Sequence, residues 1–73
     1  MAHSQRPFEK LGKNLVKIRQ ERGWTQEATA EKIGISLTYY QALEAGIKAP
    51  AFMTLRNIRR ELRADWNELL RGE

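Results

Sequence analysis

Apolar residues recur at helical spacing along most of this chain, and each apolar stretch is bounded by a residue that starts or stops a helix. Leu11, Leu15 and Ile18 stand at i, i+4 and i+7, one face of a helix over residues 8–22 that Gly23 ends. Thr25 is suited to cap a second helix, Gln26–Ile33, and Ser36 a third over residues 37–45, with Gly46 just past its end. Pro50 punctuates a loop. Phe52, Leu55, Ile58 and Leu62 then face inward from a fourth helix, Phe52–Leu62, and Asp65 caps a short fifth, Trp66–Leu70. No stretch alternates with period two for a useful length, so the pattern predicts a compact all-α fold of five helices.

The stretch QEATAEKIGISLTYYQALEA, residues 26–45, is the most informative. Ala30 is its fifth residue and Gly34 its ninth, with Ile33, Ile35, Tyr40 and Leu43 at the eighth, tenth, fifteenth and eighteenth. Two short helices crossing steeply need a small side chain where the second presses on the first, and Ala30 supplies it. The connection must reverse within about 3–4 residues, commonly through a glycine, and Gly34 takes a left-handed conformation cheaply. This is the spacing of a helix-turn-helix. At about 100° per residue, Leu37, Thr38, Gln41, Ala42 and Ala45 share an arc of roughly 140° on the third helix, with Tyr40 and Leu43 across from it in the core.

At 73 residues the chain is expected to be one domain, a flexible polar arm over residues 1–7 followed by a helix-turn-helix domain over 8–73. Without cysteine it has neither disulfides nor thiolate metal sites, and its one histidine, His3, lies in the arm. No apolar run reaches membrane-spanning length and no signal peptide is visible, so the expected location is cytoplasmic. No nucleophile–base pairing is present and Glu27 and Glu31 read as a solvated helix edge, so no enzyme, cofactor or metal is expected. Trp24 and Trp66 fall at helix junctions, where a large apolar group plugs a gap.

The net charge is +4 and the isoelectric point near 9.9, which favours a polyanionic partner. Residues 1–24 carry six basic groups against two acidic ones, residues 25–51 two against three, and residues 52–73 five against four. The helix-turn-helix is therefore not the basic segment. Attraction to a nucleic acid is expected from the arm and first helix, with Lys13 and Lys17 as contacts.

From Leu11 to Leu70 the chain resembles the phage repressor and Cro family of DNA-binding domains, the lambda-repressor-like or xenobiotic-response-element-like fold. The likeness is carried by LGKNLVKIRQERGWTQ, the Ala30 and Gly34 spacing, ALEAG, Pro50 and DWNELL. In that family the third helix enters the major groove while the second lies near the backbone. The resemblance implies that Thr38 and Gln41 bond base edges, that Leu37 or Ala42 meets a thymine methyl, and that Gln26 reaches a phosphate or base and braces the start of the third helix. Thr25 and Ser36 leave backbone N–H groups toward phosphate, Lys48 lies in a phosphate-contacting region, and the Tyr39 hydroxyl reaches phosphate or packs in the core. It also implies an Arg19–Glu44 salt bridge. With no arginine on the reading face, specificity is expected to lean toward A·T pairs.

Three positions depart from the family pattern. Thr29 replaces a large apolar residue, its hydroxyl free to bond the carbonyl of Thr25. Arg59 replaces an alanine, and Leu37 a polar residue. The function expected is a sequence-specific transcriptional regulator of double-stranded DNA, a repressor homodimer reading a palindromic operator. Trp66, Leu69 and Leu70, within residues 64–70, would form the dimer interface. The chain stops soon after its last helix, so regulation is expected through concentration, self-repression or a partner protein. The alternative is a protein-interaction or antitoxin-type module on the same fold, using the third helix or the Leu37/Tyr39 surface. Salt-dependent retention on random duplex separates the two.

Overall fold

Helix-capping chemistry sets the architecture in the computed structural model, which describes residues 6–72. The five helices are α1 (Glu9–Arg22), α2 (Gln26–Ile33), α3 (Leu37–Glu44), α4 (Phe52–Leu62) and α5 (Trp66–Leu70), with no strand among the described residues. The arm expected over residues 1–7, with His3 in it, lies outside the described residues save for the exposed Arg6 and Pro7.

Each predicted cap forms. Thr25 Oγ1 accepts from the Ala28 N–H at 3.0 Å, and Ser36 Oγ from the Tyr39 N–H at 3.1 Å. At α5 Asp65 and Glu68 cap each other's backbone reciprocally, so a helix of five residues holds its first turn. Helix α1 begins one residue later than its apolar pattern, because Phe8 sits outside helical space and gives its N–H to the Gly46 carbonyl at 3.0 Å.

The apolar stripes meet in one core of Leu11, Leu15, Ile18, Ala30, Ile33, Tyr40, Leu43, Ile58, Leu62, Ala64 and Leu69. A large aliphatic side chain buried this way contributes about 1.5–3 kcal/mol, and a domain this small has few of them. Thr29 is fully buried among them. Its hydroxyl donates to the Thr25 carbonyl at 2.8 Å, which is how a polar residue occupies a core position.

Helix α1 crosses α3 at Gly12. A Cβ there would stand 2.9 Å from the Leu43 carbonyl oxygen and nearer still to that of Glu44, so only glycine permits this approach. The pattern gave no reason to single out Gly12.

Two inward assignments and one outward assignment are corrected. Phe52 is 73% exposed: it opens α4 roughly 80–90° around the helix from the mean direction of Leu55, Ile58 and Leu62. Trp66 plugs no gap. It is 42% exposed with the Arg59 guanidinium 5.2 Å above its ring, and Arg59 itself is exposed. Leu69, expected at a dimer surface, is wholly buried in its own core, as Ala64 nearly is, because α5 docks on α1 through that side. Trp66 and Leu70 are the members of that group with area to offer a partner.

Candidate nucleic-acid interface

The turn between α2 and α3 is built on Gly34, whose φ of 89° is left-handed and whose N–H returns to the Ala30 carbonyl at 2.9 Å. Ser36 then restarts the helix two residues on. The result directs one side of α3 outward. Thr38 and Gln41 are exposed, Leu37, Ala42 and Ala45 half-buried, and Tyr40 and Leu43 fully buried on the opposite side.

The orientation of α3 is fixed by one carboxylate. Glu44 Oε2 accepts from Arg19 Nε and from the Tyr40 hydroxyl, each at 2.5 Å. Its Oε1 accepts from Arg19 Nη2 at 3.2 Å and from Gln26 Nε2 at 2.8 Å. The remaining arm of Arg19 donates to the Trp24 carbonyl at 2.8 Å. One charged group thereby joins α1, α2, α3 and the α1–α2 loop, and the predicted Arg19–Glu44 bridge is formed and largely buried, with side-chain exposures of 14% and 5%.

The electrostatics follow from burial and partners. Hydrogen bonding to Glu44 raises the Arg19 pKa above its ordinary value despite partial burial. Burial pushes Glu44 upward, but hydrogen bonds from Arg19, Tyr40 and Gln26 outweigh it and hold the carboxyl below its ordinary value. Burial, followed by the bond to Glu44, raises Tyr40, so its hydroxyl stays a donor.

Gln26 has a different reach from the one the resemblance implied. It braces the middle and end of α3 rather than its start: its Oε1 accepts from Gln41 Nε2 at 3.1 Å while its Nε2 serves Glu44. Its position at the first turn of α2 makes this possible, since that turn packs beside the C-terminal half of α3. Gln26, Gln41 and Thr38 thus form a polar edge with spare donors and acceptors. Thr25 and Ser36 each satisfy one N–H of a helix start, leaving others of that first turn for an anion, and α3 has no acid in its own first turn. Lys48 is exposed in the α3–α4 loop. Tyr39 is half-buried against the core, and its hydroxyl accepts from the Ala51 N–H at 3.3 Å.

Lys13 and Lys17 do not belong to this surface. Gly12 and Arg19 define the side of α1 that meets α3; Lys13 lies roughly 110° and Lys17 roughly 150° around the helix from it. Lys13 pairs with Glu9 at 3.2 Å on the exposed face, and Lys17 borders a hollow between α1 and α5 with Glu21 and Glu68. The densest run of exposed cations is on α4 and the residue that ends it instead: Arg56, Arg59, Arg60 and Arg63. Segment charge hid them, because it counted Asp65 and Glu68, which turn their carboxylates to the start of α5. Among the described residues no helix is long and apolar enough to cross a membrane and no group of side chains could hold a metal ion.

Comparison with known proteins agrees with this geometry. A helix-turn-helix family model matches residues 15–69. The chain is 39% identical over 63 residues to the uncharacterized HTH-type transcriptional regulator YqaE of Bacillus subtilis (strain 168), covering 86% of this chain and 54% of that one. It therefore spans about half the length of that relative. It is 33% identical over 60 residues to the uncharacterized HTH-type transcriptional regulator y4dJ of Sinorhizobium fredii (strain NBRC 101917 / NGR234), covering 82% of this chain and 78% of the relative. With the HTH-type regulator YqaF of Bacillus subtilis (strain 168) it shares 37% identity over 56 residues, 77% of this chain and 74% of that one. The turn at Gly34, the outward face of α3 and the family match together make this chain a member of the Cro/C1-type helix-turn-helix family.

Proposed function

We propose that this protein is a DNA-binding transcription regulator, a cytoplasmic homodimeric repressor that lays α3 in the major groove of a palindromic operator. The observation that carries the reading is the exposed Thr38–Gln41 edge of α3, uncharged and locked in place by the buried Glu44 cluster. Preorganised donors on a rigid helix are what base readout needs. The likeness to HTH-type transcriptional regulators supports the regulatory role.

Thr38 and Gln41 bond base edges, Leu37 and Ala42 offer methyl contacts, and Gln26 steadies Gln41 and reaches the backbone. Phosphates are met by the helix starts behind Thr25 and Ser36 and by Lys48. With no arginine on α3, readout favours A·T pairs. A single α3 covers few base pairs, so two copies read half-sites about 34 Å apart. Trp66 and Leu70, 42% and 39% exposed, are the apolar groups of α5 available to join them. The alternative of a protein-docking surface at Leu37 and Tyr39 has less support: both are half-buried and the Tyr39 hydroxyl is engaged with the α4 approach.

Selection of binding sites from a random duplex pool tests the proposal. The expected product is a two-fold repeat with A·T-weighted half-sites one helical turn apart. Failure to enrich any sequence overturns the regulator reading, and an invariant guanine core contacted by α3 overturns the A·T preference alone.

A further inference from the structure

On another side of the molecule, the end of α1, the α1–α2 loop, the last turn of α2 and the end of α4 line a groove of about 640 Å³. Its walls include Arg22, Trp24, Lys32, Arg60 and Arg63, and Glu61 is its one acid. The cations have distinct conditions. Arg22 is committed, giving its guanidinium to the Leu62 carbonyl at 2.6 and 3.1 Å and so capping α4. Arg60 is held loosely by Glu61 at 3.5 Å on the surface. Among the described residues neither Lys32 nor Arg63 has a carboxylate partner; the Lys32 ammonium rests 4.6 Å from the centroid of the Trp24 ring. The same stripe of charge continues through Arg63 into a second hollow beside Arg56 and Arg59.

Arg63 carries an independent signal. It is the one described non-glycine residue with positive φ, 53°, at the position after α4 where glycine would sit without strain. A side chain kept in an unfavourable backbone conformation points to use, and this one lines both hollows.

We infer that this groove binds an acidic segment of a partner protein, its carboxylates on Lys32 and Arg63 and a non-polar residue on the Trp24 indole. Aromatic and arginine side chains at a concave site are the usual anchors of protein recognition. A second copy of the chain is a poor occupant, because a two-fold contact sets this cationic stripe against itself. Duplex DNA seated on α3 leaves the groove open: Lys32 lies roughly 120° around α2 from Gln26, which bonds α3. The inference does not depend on α3 reading DNA.

The test uses the full chain with Trp66→Phe, leaving Trp24 as the single tryptophan reporter. It is titrated with a synthetic dodecapeptide repeating Asp-Glu-Leu, with a Ser-Gln-Leu repeat as the uncharged control. A saturable change in Trp24 emission is expected with the acidic peptide alone, weakening as salt rises. Lys32→Glu and Arg63→Glu should each weaken it about tenfold or more. Arg63→Gly separates binding from folding: it should raise Tm by about 3 °C by relieving the strained backbone, yet still weaken the peptide several-fold. Thr38→Ala should leave peptide affinity unchanged. No saturable binding, equal binding by the charge-reversed variants, or unweakened binding by Arg63→Gly overturns the inference. So does a single-stranded oligonucleotide that displaces the peptide and shows greater sensitivity to Lys32→Glu, which would make the groove a nucleic-acid site.

Discussion

Replacing Arg19 with methionine removes the cation from the Glu44 cluster while keeping most of the side-chain volume. The Glu44 carboxylate, 5% exposed, loses its two bonds to Arg19 and keeps those to Gln26 and Tyr40, and the Trp24 carbonyl loses its partner. Breaking a buried pair from one side costs about 3–5 kcal/mol; with Arg19 still 14% exposed, the lower end applies, about 3 kcal/mol. For a domain of this size that lowers Tm by about 12–24 °C.

The pH dependence carries a sign. In the native protein Glu44 titrates below its unfolded value, so its stabilisation is present above the ordinary carboxylate range and is lost as pH falls through the folded pKa. In Arg19→Met the stabilisation that the cation supplies is absent at every pH, and the carboxyl keeps only the bonds from Gln26 and Tyr40 against the same burial. The gap between the two proteins is therefore largest near pH 7 and narrows toward about pH 4. Urea unfolding at both values measures it. A gap under about 1 kcal/mol at neutral pH, or one that widens in acid, refutes the assignment of Glu44 as the charged tie between α1, α2 and α3.

Other expectations follow from single contacts. Gly12→Ala improves helix propensity but drives a methyl into the carbonyls of Leu43 and Glu44, so it should destabilise by about 1–3 kcal/mol in chemical unfolding; a stabilised variant would contradict the close α1–α3 crossing. Thr29→Val removes a hydroxyl whose acceptor, the Thr25 carbonyl, still receives the N–H of residue 29 at 3.0 Å. It should change stability by less than about 1 kcal/mol, and a loss of several would show the hydroxyl has another task. Trp66→Ser with Leu70→Ser should give a monomer by sedimentation with unchanged helical content, whereas an unaltered assembly moves the dimer surface elsewhere.

The local code was legible because each helix announces its own ends. The bounds read for α2, α4 and α5 are those observed, since Thr25 and Asp65 cap and the apolar period is clean. The Arg19–Glu44 bridge and the Thr29 back-bond were also within reach, one through family resemblance and one through side-chain chemistry. What escaped was set by neighbours distant in sequence. Phe52 fits a helical stripe, but at the very start of α4 it points to the side and stands exposed. Leu69 and Trp66 sit in one short helix, and only the docking of α5 on α1 decides which faces inward. Gly12 is ordinary until α3 crosses it, and Lys17 is a plausible contact until α1 turns it away from α3.

The central claim is that the outer edge of α3 reads base pairs. Duplex binding by wild type and by Thr38→Ala with Gln41→Ala, across a salt series on the selected operator and on random sequence, tests it most directly. The account predicts a loss of about 10–100-fold on the operator alone, with the salt slope, random-sequence affinity and Tm unchanged. Undiminished operator affinity in the doubly substituted protein would contradict it.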